Sequence, residues 1–188
     1  MPHADSGPAL PDAKDLPLSQ RMADDDRVPP PKVGGEKETL VAFLDYYRHT
    51  VEQKCAGVDP SRLSERSSPP STMSLHGLMR HLAGVERWWF RIQFAGEDVP
   101  MLYYTPEDPD QDFEDLSGDF QGALQTWHEE CERSRDIVAA ASLDTTGRTI
   151  RGDEFSLRWL LTYLTAEYAQ HAGHADFLRE GLDGYTGH

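Results

Sequence analysis

Four segments of the chain carry apolar residues at helical spacing, and this repeat is the strongest constraint on the fold. Residues three and four positions apart make the first stripe: Leu40, Phe43, Leu44, Tyr47 and Val51. The four segments run near Glu36 to Ala56, near Thr72 to Phe94, from Ser117 to about Ala141, and from Ser156 to Gly181–Gly184. No strand alternation of convincing length accompanies them. Four such helices with long first and middle connections predict an all-α, four-helix bundle.

The regions between and before these helices have a different composition. Residues 1–34 hold seven prolines and six aspartates, which predicts a flexible arm before a bundle domain at 35–188. The acidic segment 94–116 carries Tyr103 and Tyr104, which could roof a pocket or merely anchor the loop. Residues 142–155 are expected to form a loop or a short hairpin around Gly147. Ser117 is the expected N-cap of the third helix.

Charge and hydropathy exclude several classes of partner. The net charge is −15, with 18 basic and 33 acidic residues, so the chain lacks the clustered cations that nucleic acid or an anionic membrane requires. No apolar run approaches the ~20 residues of a membrane span, and Met1 to Leu18 does not have the pattern of a signal peptide. We therefore expect a cytoplasmic protein. Cys55 and Cys131 are interpreted as reduced core residues, with a disulfide or a reactive thiol as the alternative.

Two polar side chains interrupt the leucine stripe of the last helix. Glu167 and His171 lie one turn apart, about 40° from each other around the helix axis, on the side where the leucines cluster. Burying an unpaired carboxylate costs several kcal/mol or more, so a compensating partner is expected. A divalent metal satisfies both groups at once. The alternative is a buried Glu–His hydrogen-bonded pair.

The second helix offers a third ligand. Its apolar stripe centres about 70° from His81, which can therefore face the bundle, whereas His76 is expected on the outer, solvent-exposed face. Two histidines and a carboxylate leave coordination positions open, as catalytic metal sites do. We thus predict a metal site of His81, Glu167 and His171. His174 could be a fourth ligand, a proton shuttle or a partner of a ligand.

Other polar and aromatic residues near these stripes have simpler interpretations. Glu86 is expected to be a surface or helix-packing carboxylate, with orientation of a metal ligand as the alternative. The aromatic side chains of both helices are interpreted as packing or interface residues: Trp88, Trp89, Trp159 and Tyr163. Exposed aromatic side chains would also suit a homodimer interface.

Two stretches of the chain resemble a known superfamily. One is Met73 to Phe90 (MSLHGLMRHLAGVERWWF), and the other begins with Ser156 to Leu161 (SLRWLL) and continues through Glu167 to Glu180 (EYAQHAGHADFLRE). Together they resemble the DinB-like, or YfiT-like, superfamily of metalloenzymes, in particular the actinobacterial branch that includes the mini-circle protein. The resemblance covers about residues 25–187.

The resemblance implies a four-helix bundle with one histidine on the second helix and two ligands spaced i, i+4 on the last. The matching positions are His81, Glu167 and His171. Glu167 stands where many relatives have histidine, a variant similar to the mycothiol-dependent branch of the superfamily. His174 stands where the family often has glutamine, so no role carries over to it.

The function that this resemblance implies is a metal-dependent, thiol-dependent S-transferase acting on small electrophiles. Its cofactors would be a divalent metal, zinc first and nickel, iron or manganese as alternatives, and a low-molecular-weight thiol. A metal-dependent hydrolase and a non-catalytic metal-binding or stress-response module are the other expectations. The partner is a small-molecule substrate.

Overall fold

The computed structural model describes residues 27–105, 107–116 and 118–186. Most of the predicted N-terminal arm, residues 1–26, lies outside them. The described residues form five α-helices and one hairpin, with a 3₁₀ turn before α2 and a π-helix after it. In chain order they are α1 (Glu36–Cys55), the 3₁₀ turn (Pro60–Arg62), α2 (Leu75–Glu86), the π-helix (Arg87–Phe94), α3 (Gln111–Glu114), α4 (Phe120–Ala140), β1 (Thr146–Arg148), β2 (Glu154–Ser156) and α5 (Leu157–Asp183).

The long helices form a bundle in which α1 packs along α5 and α2 packs along α4. The side chains that fill the interior are mostly leucines of the long helices: Leu44, Leu75, Leu78, Leu82, Leu157, Leu160, Leu161, Leu164 and Leu178. Burying each leucine contributes roughly 1.5–3 kcal/mol relative to leaving it in water. The prediction of an all-α, four-helix bundle is confirmed. No helix in the described ranges is long and apolar enough to cross a bilayer.

Side-chain caps set the first residues of three long helices. Ser74, Asp119 and Ser156 each accept a hydrogen bond from the backbone N–H three residues later. The cap of α4 is therefore Asp119 and not Ser117, which lies outside the described residues. At the other end of α5, Gly184 adopts φ of 75°, the left-handed conformation that glycine accepts without steric cost.

The connection between α4 and α5 contains the short hairpin that the sequence left as one of two options. β1 and β2 are antiparallel, and Gly147 pairs with Phe155 within the strands instead of forming the turn. A Cβ atom at Gly147 would lie 2.6 Å from the Cα of Phe94, so only glycine allows the hairpin to approach the end of the π-helix. Because Ser156 ends β2 and caps α5, the hairpin leads directly into the helix that carries Glu167.

Both cysteines are buried and free, as predicted. Burial raises the pKa of Cys55 to about 12 and raises the pKa of Cys131 well above its ordinary value. Since the thiolate is the reactive form of cysteine, neither side chain is a nucleophile at neutral pH.

The expectation that His76 faces solvent is wrong. His76 is only 1% exposed. The connection between α1 and α2 covers this face of α2, and Ser64 lies there with its Oγ 2.9 Å from His76 Nδ1. The ring of Phe120 packs edge-on against His76 from the start of α4. Helical periodicity describes only the stripe of one helix, and it contains no information on which loops fold over the opposite face.

Glu86 lies at a junction of the four long helices and not at the surface. Its carboxylate is fully buried and accepts hydrogen bonds from Arg48 on α1, at 2.9 and 2.7 Å. It also accepts hydrogen bonds from Ser134 on α4 and Tyr168 on α5, both at 2.6 Å. The helix-packing interpretation of Glu86 is therefore correct, and Glu86 does not touch the candidate metal ligands.

Candidate metal centre

The bundle brings together the three side chains that the sequence singled out. His81 lies on α2, and Glu167 and His171 lie one turn apart on α5. One donor atom from each residue lies within 4.8 Å of the others, and this is the only such His, Cys, Asp or Glu group among the residues that the structure describes. The geometry required for shared coordination of one cation is therefore present.

The donor atoms converge on the Glu167 carboxylate. Its Oε1 lies 3.2 Å from Nε2 of His171 and 3.5 Å from Nε2 of His81. The two imidazole rings are 4.8 Å apart between centroids and tilted by 55°. The side chains of His81 and Glu167 are 22% and 21% exposed, which leaves one side of the site open to solvent. The Glu167 side chain is thus partly in contact with solvent, while Nε2 of His81 is buried.

Asp112 holds His81 from the side away from Glu167. Its Oδ2 lies 2.7 Å from His81 Nδ1, and the Asp112 side chain is buried. Phe113 stacks on the His81 ring at 5.1 Å between centroids. Both residues lie on α3. This short helix packs closely on α2 because Gly77 has no side chain, and a Cβ atom there would lie only 3.1 Å from the Phe113 ring.

His174 contacts Nδ1 of His171, just as Asp112 contacts Nδ1 of His81. Nδ1 of His174 lies 3.3 Å from Nδ1 of His171, so the nitrogen of His171 that faces away from Glu167 has a partner. Each predicted histidine ligand therefore has its Nδ1 engaged and its Nε2 directed at Glu167. Such an arrangement fixes the tautomer and the ring orientation of metal-binding histidines in proteins.

The electrostatics of the centre favour a positive charge at its middle. The hydrogen bond from His171 and the nearby His81 ring lower the pKa of Glu167 to about 2, despite partial burial. Burial opposes a charge on His81, but Asp112 and Glu167 outweigh it and raise its pKa to about 9. Two carboxylates therefore surround this imidazole.

The donor set fits a divalent metal. Nε2 of His81 is buried and faces Glu167 Oε1, which at 3.5 Å is too far away for a well-formed hydrogen bond. A metal ion bound here would be a shared partner for this nitrogen and the Glu167 carboxylate. Two imidazole nitrogens and one carboxylate oxygen suit zinc, nickel, iron or manganese, and they leave positions free for a further ligand. The residues present therefore fit the group that the sequence predicted.

Asp112 is the residue that sequence reasoning missed. It lies 31 residues after His81 in the acidic segment 94–116, where helical periodicity makes no prediction. The neighbouring Phe113, a large apolar residue within the acidic run 107–115, is a signal that this part of the loop docks. The two tyrosines of the segment anchor it, since the Tyr103 ring lies under Arg80 and Tyr104 packs closely at Gly84.

Replacing Asp112 with asparagine should weaken metal binding about 10- to 100-fold, because the charged partner of His81 is lost while the volume is kept. The measurement is a competition titration against a chelating dye. Asp115→Asn is the matched control, since Asp115 is exposed in the same segment. Equal affinities of the two variants would show that Asp112 does not support the centre.

The fold and the site together define a helical bundle of the DinB-like type, with a candidate metal centre between its second and last long helices. Comparison of the sequence with protein families narrows this further. The family model described as mycothiol-S-transferase matches residues 39–184, and the chain belongs to that family, a member of the DinB-like superfamily. No curated protein matches the chain.

Among solved structures, the chain is similar to the mycothiol-dependent maleylpyruvate isomerase and to a histidine-to-alanine mutant of that protein. The TM-score is 0.53 in both comparisons, with 15% and 14% sequence identity. The matches cover 87% of this chain but only 62% of each isomerase chain. The TM-score shows a shared fold, and with a sequence identity this low the comparison shows the fold alone. The chain spans less than two thirds of the length of the isomerase.

Proposed function

We propose that the protein is a metal-dependent S-transferase that joins a low-molecular-weight thiol of the mycothiol type to a small electrophile. The observation that carries this proposal is the convergence of His81, Glu167 and His171, whose donor atoms lie within 4.8 Å of one another at a partly open site. Membership of the mycothiol-S-transferase family supports the choice of a thiol as the second substrate.

The chain supplies the ligands and their orientation. His81, Glu167 and His171 would hold the metal, and Asp112 and His174 would keep the two rings aligned. A divalent metal bound there would favour the thiolate form of a coordinated thiol, which is the nucleophilic form. The open side of the centre is where the thiol and the electrophile would enter.

The overall reaction is a substitution at carbon. A sulfur–carbon bond forms, the bond between that carbon and its leaving group breaks, and the leaving group departs with the bonding electrons. The thiol proton is released to solvent on the open side of the site. No protein thiol takes part, because both cysteines are buried.

The direct test is a transfer assay with protein purified without a histidine tag and loaded separately with zinc, nickel or manganese. Mycothiol, cysteine and glutathione are each offered with monochlorobimane, whose fluorescence reports the conjugate. We expect a metal-dependent rate with at least one thiol, lost on chelation and regained when metal is returned. Absence of a metal-dependent rate with every thiol would reject the transferase in favour of a binding module. A chelator-sensitive hydrolysis of ester substrates without a thiol would instead favour a hydrolase.

A further inference from the structure

Four aromatic rings form a continuous surface beside the candidate metal centre. We call this surface the aromatic shelf, and its members are Trp89, Phe155, Trp159 and Tyr163. The rings of Trp159 and Tyr163 stack at 5.0 Å between centroids and lie within 7° of parallel. Trp89 contacts both of them, at 5.6 and 4.9 Å, and Phe155 packs behind Trp89 and Trp159 at 5.6 Å.

The shelf is more exposed than packing alone requires. Trp159 is 46% exposed and Tyr163 is 36% exposed, while Phe155 behind them is buried. Leaving two large stacked rings in water forgoes part of the stabilisation that their burial would give. The sequence-based interpretation of these residues as packing side chains therefore accounts for only their inner contacts.

The shelf continues directly into the candidate metal centre. Trp159, Tyr163 and Glu167 follow one another at i, i+4 spacing on α5, so Tyr163 lies about 6 Å along the helix axis from Glu167. Burial and the Glu167 carboxylate both raise the pKa of Tyr163, which agrees with this proximity. A molecule lying on the shelf can therefore extend to the open side of the metal centre.

The shelf includes a ring from the π-helix that follows α2. Trp89 lies in the segment Arg87–Phe94, whose wider turns change the direction in which side chains leave the helix. Short π-helical insertions occur often at functional sites. Here the irregular turn places Trp89 against both exposed rings of α5, which completes the shelf.

We propose that the aromatic shelf binds the electrophile, and that the preferred electrophile carries a flat, apolar aromatic group. This inference rests on the proposed function and names the substrate class of the same site. A planar ring can stack on the Trp159–Tyr163 pair, gaining the aromatic contacts that these side chains lack on their outer faces.

The test compares Trp159→Ala and Tyr163→Leu with the unmodified protein, using a planar and a small aliphatic electrophile. Losing one stacking partner should raise KM for monochlorobimane about tenfold. The KM for the thiol, and kcat/KM for iodoacetamide, should stay within about twofold, because neither molecule needs the shelf. Phe177→Ala is the matched control, since Phe177 is a 70% exposed aromatic residue of the same helix outside the shelf.

A second measurement separates this proposal from the transferase itself. Equilibrium dialysis of 2-naphthol, which is planar and unreactive, requires neither thiol nor turnover. We expect binding that weakens about tenfold in Trp159→Ala and is unchanged in Phe177→Ala. Binding without any transfer activity would reject the proposed function and leave the shelf as an aromatic-binding site.

Three outcomes would overturn the shelf proposal. Equal 2-naphthol binding by all variants would show that the rings do not bind a planar group. A rise in the KM for the thiol, with no change for monochlorobimane, would assign the shelf to the thiol. A homodimer that dissociates when Trp159 is replaced would assign the rings to a subunit interface.

Discussion

Replacing Glu86 with alanine is expected to lower the free energy of unfolding by about 3–5 kcal/mol. The substitution removes the acceptor of four hydrogen bonds and leaves the Arg48 guanidinium in the core. The side chain of Arg48 is 4% exposed, and its remaining carboxylate partner is Asp45 on the same helix. Urea unfolding monitored by circular dichroism measures the change.

Two controls separate the buried charge from a general effect of substitution. Glu180→Ala removes an exposed carboxylate from α5 and should change stability by less than about 0.5 kcal/mol. The double variant Arg48→Met, Glu86→Leu removes both charges and should recover the part of the loss that comes from the unpaired Arg48, because apolar residues of similar volume often replace buried ion pairs without cost. The rest should remain, since the buried hydroxyls of Ser134 and Tyr168 still lose their acceptor. A loss below about 1 kcal/mol in Glu86→Ala would contradict the four-helix junction.

Replacing His171 with alanine is expected to reduce bound metal from about one equivalent to less than about a tenth, because two ligands on a partly open site hold a divalent ion weakly. Glu167→Ala and His81→Ala should have the same effect, since each removes one of the three donors. Elemental analysis of tag-free protein grown with zinc, nickel and manganese gives the stoichiometry. The transfer rate should fall with the metal content.

His128→Ala is the matched control for the loss of an imidazole. His128 lies on α4 and is 2.9 Å from Glu52, a partly exposed His–Glu pair away from the candidate centre. Its replacement should leave metal content and transfer unchanged. Metal retained in His171→Ala would reject the assignment of ligands, and metal lost in His128→Ala would locate the ion elsewhere.

The sequence predicted those parts of the fold and site that depend on one helix at a time. Leucine spacing located the four long helices, since burial of an apolar stripe is the main force that positions an amphipathic helix. The same spacing identified Glu167 and His171 as polar residues out of place in a stripe, and it selected His81 over His76. The selection of His81 was useful even though the predicted exposure of His76 was wrong.

What the sequence could not predict depends on contacts between distant segments. Asp112 reaches His81 only because α3 folds back on α2, and that docking follows from packing at Gly77 and Phe113. The aromatic shelf likewise forms where Trp89, in the π-helix after α2, meets Trp159 and Tyr163 of α5. Both contacts join segments that are far apart in the chain, so neither could be recognised before the fold was known.

Crystals grown with zinc and measured on both sides of the zinc absorption edge test the central claim most directly. We expect one anomalous peak per chain, about 2.0–2.2 Å from one donor atom of each of the three residues His81, Glu167 and His171. No peak at this position, with the three side chains ordered as described and zinc in excess, would contradict the metal centre and the transferase built on it.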